Sequence, residues 1–226
     1  MTSRQDRNGE MRLEILKSAA AAFRRRGYHG ASVDEIASAL HMTKGNLYYY
    51  FKDKEDILFA CHEFALDLLL KMLKKVEDSS YPPQEKLRRV IVSFVHMMID
   101  ELRGTALTMD VQALSASRRQ KVIAKRDRFD QGIRRIITAG IKSGVFRNAD
   151  PKLATFALLG SLNWIPYWFD PSGEANSVEI GEEFAEQFIS GLLSHKTRSS
   201  RLGRGPSQIL QGAYSPEAHR KQIWPK

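Results

Sequence analysis

The sequence predicts an all-α protein of about nine helices, because its apolar residues recur at spacings of three and four, the period of one helical face. Two further observations agree. Helix boundaries are punctuated by capping residues, Gly and Pro, as at Ser32, Gly144 and Asp150-Pro151. No stretch of any length alternates apolar and polar residues with the period of two that a half-buried strand requires, and no segment repeats.

Taken in order, residues 1–9 form a polar arm, expected to be disordered. The first helix runs from Glu10 to Arg26, with Ile15, Leu16, Ala19, Ala20 and Phe23 as its apolar stripe. Arg24, Arg25 and Arg26 suit the negative end of its dipole, and Gly27 ends it. Ser32 and Glu35 form a capping box for a short second helix that buries Ile36, Ala37 and Leu40. His41-Met42 fills a turn, and Thr43 caps a third helix in which Leu47 and Phe51 point inward. A fourth helix, Lys54 to about Asp78, spans about 36 Å at 1.5 Å per residue. Ser79 to Pro83 is a break. A fifth helix follows from Gln84 to Leu102, then a short sixth from Thr105 to Leu114 and a seventh from Ser117 to Ser143. An eighth, Pro151 to Phe169, is apolar on nearly every side and carries a kinking Pro166. A ninth spans Val178 to Ser194.

The stretch Ser32–Lys54 organises the rest. A helix cannot bury three adjacent side chains on one face, so at least one of Tyr48, Tyr49 and Tyr50 points outward. Beside Thr43, Lys44, Asn46, Lys52 and Lys54, an outward tyrosine meets a phosphate or a base edge. Hydroxyls, amides and cations near a helix N-terminus are what the second helix of a helix-turn-helix presents to DNA. Candidate DNA contacts are therefore Thr43, Lys44, Asn46, Tyr48, Tyr49 and Lys54, with Lys44 aimed at a guanine edge and Tyr49 and Lys54 clamping phosphates. Ser32 is explained by capping alone.

At these residues TKGNLYYYFKDKEDIL resembles the signature of the TetR family of bacterial transcriptional regulators, and the preceding GxxxxSVDEIASAL resembles the first half of the same domain. The resemblance covers about Arg12 to Leu58; Tyr50 stands where the family often has histidine. It implies an N-terminal three-helix helix-turn-helix DNA-binding domain, residues 1–54, and a larger helical effector-binding and dimerisation domain, residues 55–195. It also implies a phosphate contact for Ser32, beside its role as a cap. A basic tail, 196–226, is expected to be disordered. The implied function is a homodimeric transcriptional repressor on a palindromic double-stranded DNA operator, released by a small hydrophobic effector.

Charge distribution agrees. Residues 1–54 carry ten Lys/Arg against six Asp/Glu, a net +4; residues 55–195 carry eighteen against nineteen, −1; residues 196–226 carry seven against one, +6. A basic head suits a polyanion. Without an apolar run of about 18 residues or a signal-peptide core, the expected location is cytoplasmic, with no membrane partner. The single Cys61 excludes an internal disulfide framework. No Gly-rich phosphate loop, His/Cys metal spacing or nucleophile–base pair is present, so the expectation is a protein without enzymatic activity, cofactor or metal.

A single helix-turn-helix makes few contacts, so such domains work as symmetric dimers. Phe156, Leu159, Phe184, Phe188 and Leu192 of the last two long helices are the candidate interface. Candidate effector-lining residues are Phe64, Leu68, Phe94, Met97, Met98, Met109, Phe129, Trp164, Tyr167 and Trp168, with Asn163 beside the Pro166 kink. Met and aromatic residues at helical spacing are more often plain core than a binding site, Trp164 and Trp168, four apart, being the exception. The segment LLGSLNWIPYWFDPSG, with the arginine-rich helix before it, resembles family members that respond to acyl-CoA thioesters, with Arg119 or Arg126 on the phosphates. Alternatives are a regulator or activator of the same fold with a non-acyl ligand, and a helical ligand-binding protein without sequence-specific DNA binding.

Overall fold

The structure, a computed structural model, describes residues 4–101 and 110–194. Nine α-helices order those residues: α1 (Arg4–Gly30), α2 (Val33–Ser38), α3 (Lys44–Tyr50), α4 (Lys54–Glu77), α5 (Pro83–His96), α6 (Ala116–Lys142), α7 (Pro151–Asn163), α8 (Ile165–Trp168) and α9 (Ser177–Leu192). Four boundaries differ from expectation: the first helix, expected to end at Gly27, kinks there and continues to Gly30, and three others follow. The polar arm is helical from Arg4, since extending an existing helix adds a hydrogen bond per residue without a new nucleus. The fifth helix stops at His96 and continues as one π-helical turn, Met97–Glu101. The expected eighth helix divides at Trp164 into α7 and α8, because Pro166 has no N–H to donate back along the helix.

The expected sixth helix and Met109 fall largely outside the described residues, as does the basic tail. The described end of that helix is a single 3-10 turn, Val111–Ala113, capped by Asp110 through the Gln112 N–H at 2.8 Å.

Gly27 takes a positive φ of 68°, and there α1 bends toward α2. Leu16, Phe23, Val33, Ile36, Leu47 and Phe51 close a small core between α1, α2 and α3. The fourth helix leaves this core and enters a second layer. Alongside it α6 runs parallel: Lys125 Nζ lies 2.9 Å from Glu63 and 2.6 Å from Asp67, and Arg135 Nε bonds Glu77 at 2.9 Å. Between those pairs a Cβ on Gly132 would come within 2.3 Å of Leu73 Cδ2, so the glycine permits the close approach. On the other side α9 packs antiparallel to α5, with Gly181 against Val92 and Arg88 bridging Glu182 and Glu186. The end of α9 is fastened to the turn after α6 by Arg147 N–H to the Leu192 carbonyl (2.8 Å) and Ser194 N–H to the Val145 carbonyl (3.0 Å).

Candidate nucleic-acid interface

The turn between α2 and α3 fixes the geometry of the head. Ser32 Oγ accepts the Glu35 N–H at 3.0 Å. Only that half of the expected capping box forms, for the Glu35 carboxylate takes Arg25 Nη2 at 2.7 Å and lies 3.7 Å from Arg26 Nε. The bond from Arg25 holds the carboxyl below its usual range. His41 carries the chain through a positive φ of 54°, and the Met42 N–H bonds the Ala37 carbonyl at 2.9 Å. Thr43 Oγ1 then accepts the Asn46 N–H at 3.2 Å, starting α3.

Leu47 and Phe51 anchor α3 in the core. The opposite face is open: Ser32, Thr43, Lys44, Gly45 and Asn46 are exposed, Tyr48 is 42% and Tyr49 69% accessible, and Tyr50 is half-buried edge-on to Tyr49 at 5.1 Å. Lys44 Nζ reaches back to Asp34 at 2.9 Å, an exposed pair whose hydrogen bond raises the lysine's pKa. Arg12 closes the far end of α3, donating to the Tyr50 carbonyl at 2.6 Å and lying 4.3 Å over the Phe51 ring.

Lys54 departs from expectation. Its ammonium turns inward and donates to the Tyr28 and Ala31 carbonyls at 2.8 and 2.9 Å, 4.5 Å over the Tyr28 ring. Carbonyl oxygens in the last turn of α1 and just beyond it accept from this half-buried lysine. In this position Lys54 ties α4 to the entry of α2, instead of pointing outward as a phosphate clamp.

In the larger layer the expected effector residues divide. Phe94, Met98 and Phe129 are buried, the two rings stacked at 5.9 Å. Arg126 belongs to the same inner stripe of α6, between Val122 and Phe129, and burial lowers its pKa. Met97 is buried at the start of the π turn, whereas Arg119 is half-buried near the start of α6, with Nη1 3.3 Å from Gln112 Oε1. Phe64 borders an open groove of about 460 Å³ between α1 and α4, and Leu68 is half-buried. Asn163, Trp164 and Tyr167 are corrected: all three are on the outer surface, Trp164 (52% accessible) stacked on Tyr167 (63%) at 4.6 Å. The turn that Pro166 imposes points them away from the interior. Trp168 is half-buried against Phe184.

The candidate interface residues also divide. Phe156 is half exposed, with Arg134 and Lys152 over its ring at 5.3 and 5.8 Å. Leu159, Phe184 and Phe188 are half-buried. Leu192 is only 4% accessible and belongs to its own chain's core, a correction that follows from the hydrogen bonds closing the end of α9. In its place Leu153, Ala157 and Gly160 continue the outward stripe through Phe156 to Trp164.

Sequence reasoning did not find the cleft of about 890 Å³ between Arg24 of α1, Ile99 and Asp100 of the π turn, Phe169, and the loop leading to Ser177. At its wall the Asp100 carboxylate accepts the Ser177 hydroxyl and lies 2.7 Å from His96 Nδ1. The i, i+4 pair of His96 and Asp100 was the available signal.

The comparisons with known proteins decide the family. Residues 15–61 match the model of bacterial regulatory proteins of the tetR family, and residues 80–192, half of the chain, match the tetracyclin repressor-like C-terminal domain. The chain belongs to the TetR family. It is thus an all-α DNA-binding transcriptional regulator and not an enzyme. Among solved structures it is similar to the TetR family transcriptional regulator PfmR of Thermus thermophilus, with 34% identity, 80% of this chain and 99% of that one covered, and a TM-score of 0.71. It is also similar to AibR in complex with isovaleryl coenzyme A and operator DNA, with 28% identity, 80% and 98% coverage, and a TM-score of 0.68. A curated relative is the fatty acid metabolism regulator protein of Bacillus subtilis (strain 168), 23% identical over 80% of this chain and 94% of that protein. Among the described residues no helix is long and apolar enough to cross a membrane.

Proposed function

We propose that this TetR-family regulator is a repressor that binds a palindromic operator as a homodimer and is released by a hydrophobic effector, an acyl-CoA thioester. Residues 1–54 are the DNA-reading head and 55–195 the effector-binding and dimerisation body. The observation that carries the DNA half is the division of α3: Leu47 wholly buried, and Thr43, Lys44, Asn46, Tyr48 and Tyr49 aligned on the open side. With Ser32 at the N-terminus of α2, these side chains supply hydroxyl, amide and ammonium groups for phosphates and base edges. The dimer half rests on the apolar stripe Leu153–Phe156–Gly160–Trp164–Tyr167 along α7 and α8. An apolar stripe of that length is the mark of an association surface, and a two-fold dimer buries the same patch on both copies.

The effector enters between α4, α5 and α6 at the level of the Phe94–Phe129 pair. The apolar chain packs against Leu68 and Met98, and the anionic end meets Arg126. The likeness to a regulator solved with isovaleryl coenzyme A and operator DNA supports this ligand class. To release DNA, the effector binds the non-DNA-binding arrangement more tightly than the DNA-binding one.

The test is enrichment of random genomic fragments by the purified chain, repeated with a panel of acyl-CoA esters. Enrichment of a palindrome that one ester abolishes is the expected result. Enrichment indifferent to every ester contradicts the effector class, and no enrichment at moderate salt contradicts the operator reading.

A further inference from the structure

The carboxylates just beyond the recognition helix raise a question of charge. Asp53, Glu55 and Asp56 follow α3 within six residues. Such a cluster suits the N-terminus of α4, where the helix dipole favours anions. It also stands a few residues from Tyr48 and Tyr49, on the part of the chain that approaches phosphates. Three uncompensated negative charges there oppose DNA binding.

A counter-charge comes from α6, distant in sequence. Arg118, in the first turn of α6, places Nη2 2.9 Å from Asp56 Oδ1, and Nη1 3.5 Å from Glu55 Oε1 and 3.6 Å from Asp53 Oδ1. Its guanidinium lies 5.5 Å over the Phe59 ring and is about a quarter accessible. The Ser115 N–H adds a bond to Glu55 Oε1 at 2.9 Å. That bond, with Arg118 as a smaller contributor, holds the Glu55 carboxyl below its usual range. The same carboxylates shape the end of α3. Asp53 caps α4 by accepting the Asp56 N–H at 2.7 Å, and Asp56 Oδ2 accepts the Lys52 N–H at 3.2 Å. From Arg118 to the residue after Phe51 is therefore two hydrogen bonds.

We infer that Arg118 is a positioning residue for DNA recognition: it offsets part of the negative charge of Asp53, Glu55 and Asp56 and, through Asp56, fixes the exit of α3 and the presentation of Tyr48 and Tyr49. This rests on the proposed role of α3 and extends it into the regulatory domain. The arginine touches no DNA itself.

The test compares Arg118→Gln, Arg118→Lys and Lys125→Gln in the full chain, using the genomic fragment that the unaltered chain enriches. Lys125 ties α6 to α4 two turns further along, so it serves as the structural control. Loss of a charged, partly buried hydrogen bond corresponds to about tenfold weaker operator binding for Arg118→Gln. Arg118→Lys restores part of it, and Lys125→Gln leaves it within about twofold. The slope of log affinity against log salt stays that of the unaltered chain, because no phosphate contact is lost. Hydrogen exchange without DNA speeds up in the peptide covering 47–56 in Arg118→Gln and not in Lys125→Gln; this readout does not depend on operator affinity.

Unaltered affinity and exchange in Arg118→Gln overturn the inference, as does an equal loss in Lys125→Gln. A salt slope reduced by about one makes Arg118 a phosphate contact and overturns the positioning role. If the unaltered chain enriches no fragment, the operator reading falls and this inference with it. Enrichment by the unaltered chain followed by indifference to Arg118 overturns the inference alone.

Discussion

At the residue scale, the contacts that matter are those whose direction a spacing argument leaves open. Tyr49 is the most open ring of its triplet, and its hydroxyl has an acceptor or donor to meet only outside the chain's own core. Tyr49→Phe is expected to weaken operator binding by about 0.5–1.5 kcal/mol, the net worth of one hydrogen bond, with an unchanged thermal midpoint; fluorescence anisotropy with the enriched fragment measures it, and equal affinity refutes the contact. Lys54 is the opposite case. A sequence places its ammonium near DNA but does not say that two carbonyls wait on the inner side. Lys54→Met is expected to lower stability by about 1–3 kcal/mol, the cost of leaving partly buried carbonyls unpaired, while the salt slope of DNA binding stays constant. Cys61 gives a pH test. Burial pushes its thiol up to about 12, and its Sγ faces the Leu16 carbonyl at 3.6 Å. Above the unfolded thiol's pKa the unfolded state has lost a proton that the native state keeps, so stability falls as pH rises from about 9 toward 12. Unfolding free energies from urea titrations at pH 9 and pH 11 should therefore drop more for the unaltered chain than for Cys61→Ala, by up to about 1.4 kcal/mol per pH unit. An identical drop in both refutes a buried, protonated thiol.

At the element scale, the caps Ser32, Thr43 and Asp150, the break after Ser79 and Gly144 are local signals, and helices begin and end there; Gly27, expected to end the first helix, instead kinks it, and α1 runs on to Gly30. The boundaries that moved depend on what lies outside the local window. Whether the polar start of α1 continues as helix, and whether α5 tightens or loosens after His96, is decided by neighbours distant in sequence. The candidate site divides in the same way. The open face of α3 was legible because alternation of buried and exposed positions follows from the helical period. The inward turn of Lys54, the outward turn of Trp164 and Tyr167, and the salt links of Arg118 were not, since each depends on which element arrives beside it. Close packing between elements makes a further test. A Cβ on Gly140 would lie 2.1 Å from the buried Phe146 ring. Gly140→Ala should thus destabilise by about 1–3 kcal/mol through overpacking, despite the roughly 1 kcal/mol that alanine gains in helix propensity. Chemical denaturation decides the sign, and a more stable variant contradicts the packing between α6 and the turn that follows.

At the scale of the whole molecule, the proposal joins three surfaces: the open face of α3, the interior between α4 and α6, and the outward stripe of α7 and α8. Phe156→Glu puts a charge into that stripe without disturbing a buried residue, so sedimentation should show a folded monomer with much weaker operator binding. A dimer in that variant moves the interface elsewhere. The central claim, that two copies of α3 read one symmetric site, is tested most directly by hydroxyl-radical footprinting of the enriched fragment. Two equivalent protected patches, separated by about one helical turn of 10–10.5 base pairs or a multiple of it, are the predicted result. A single patch, or diffuse protection without symmetry, would contradict the account.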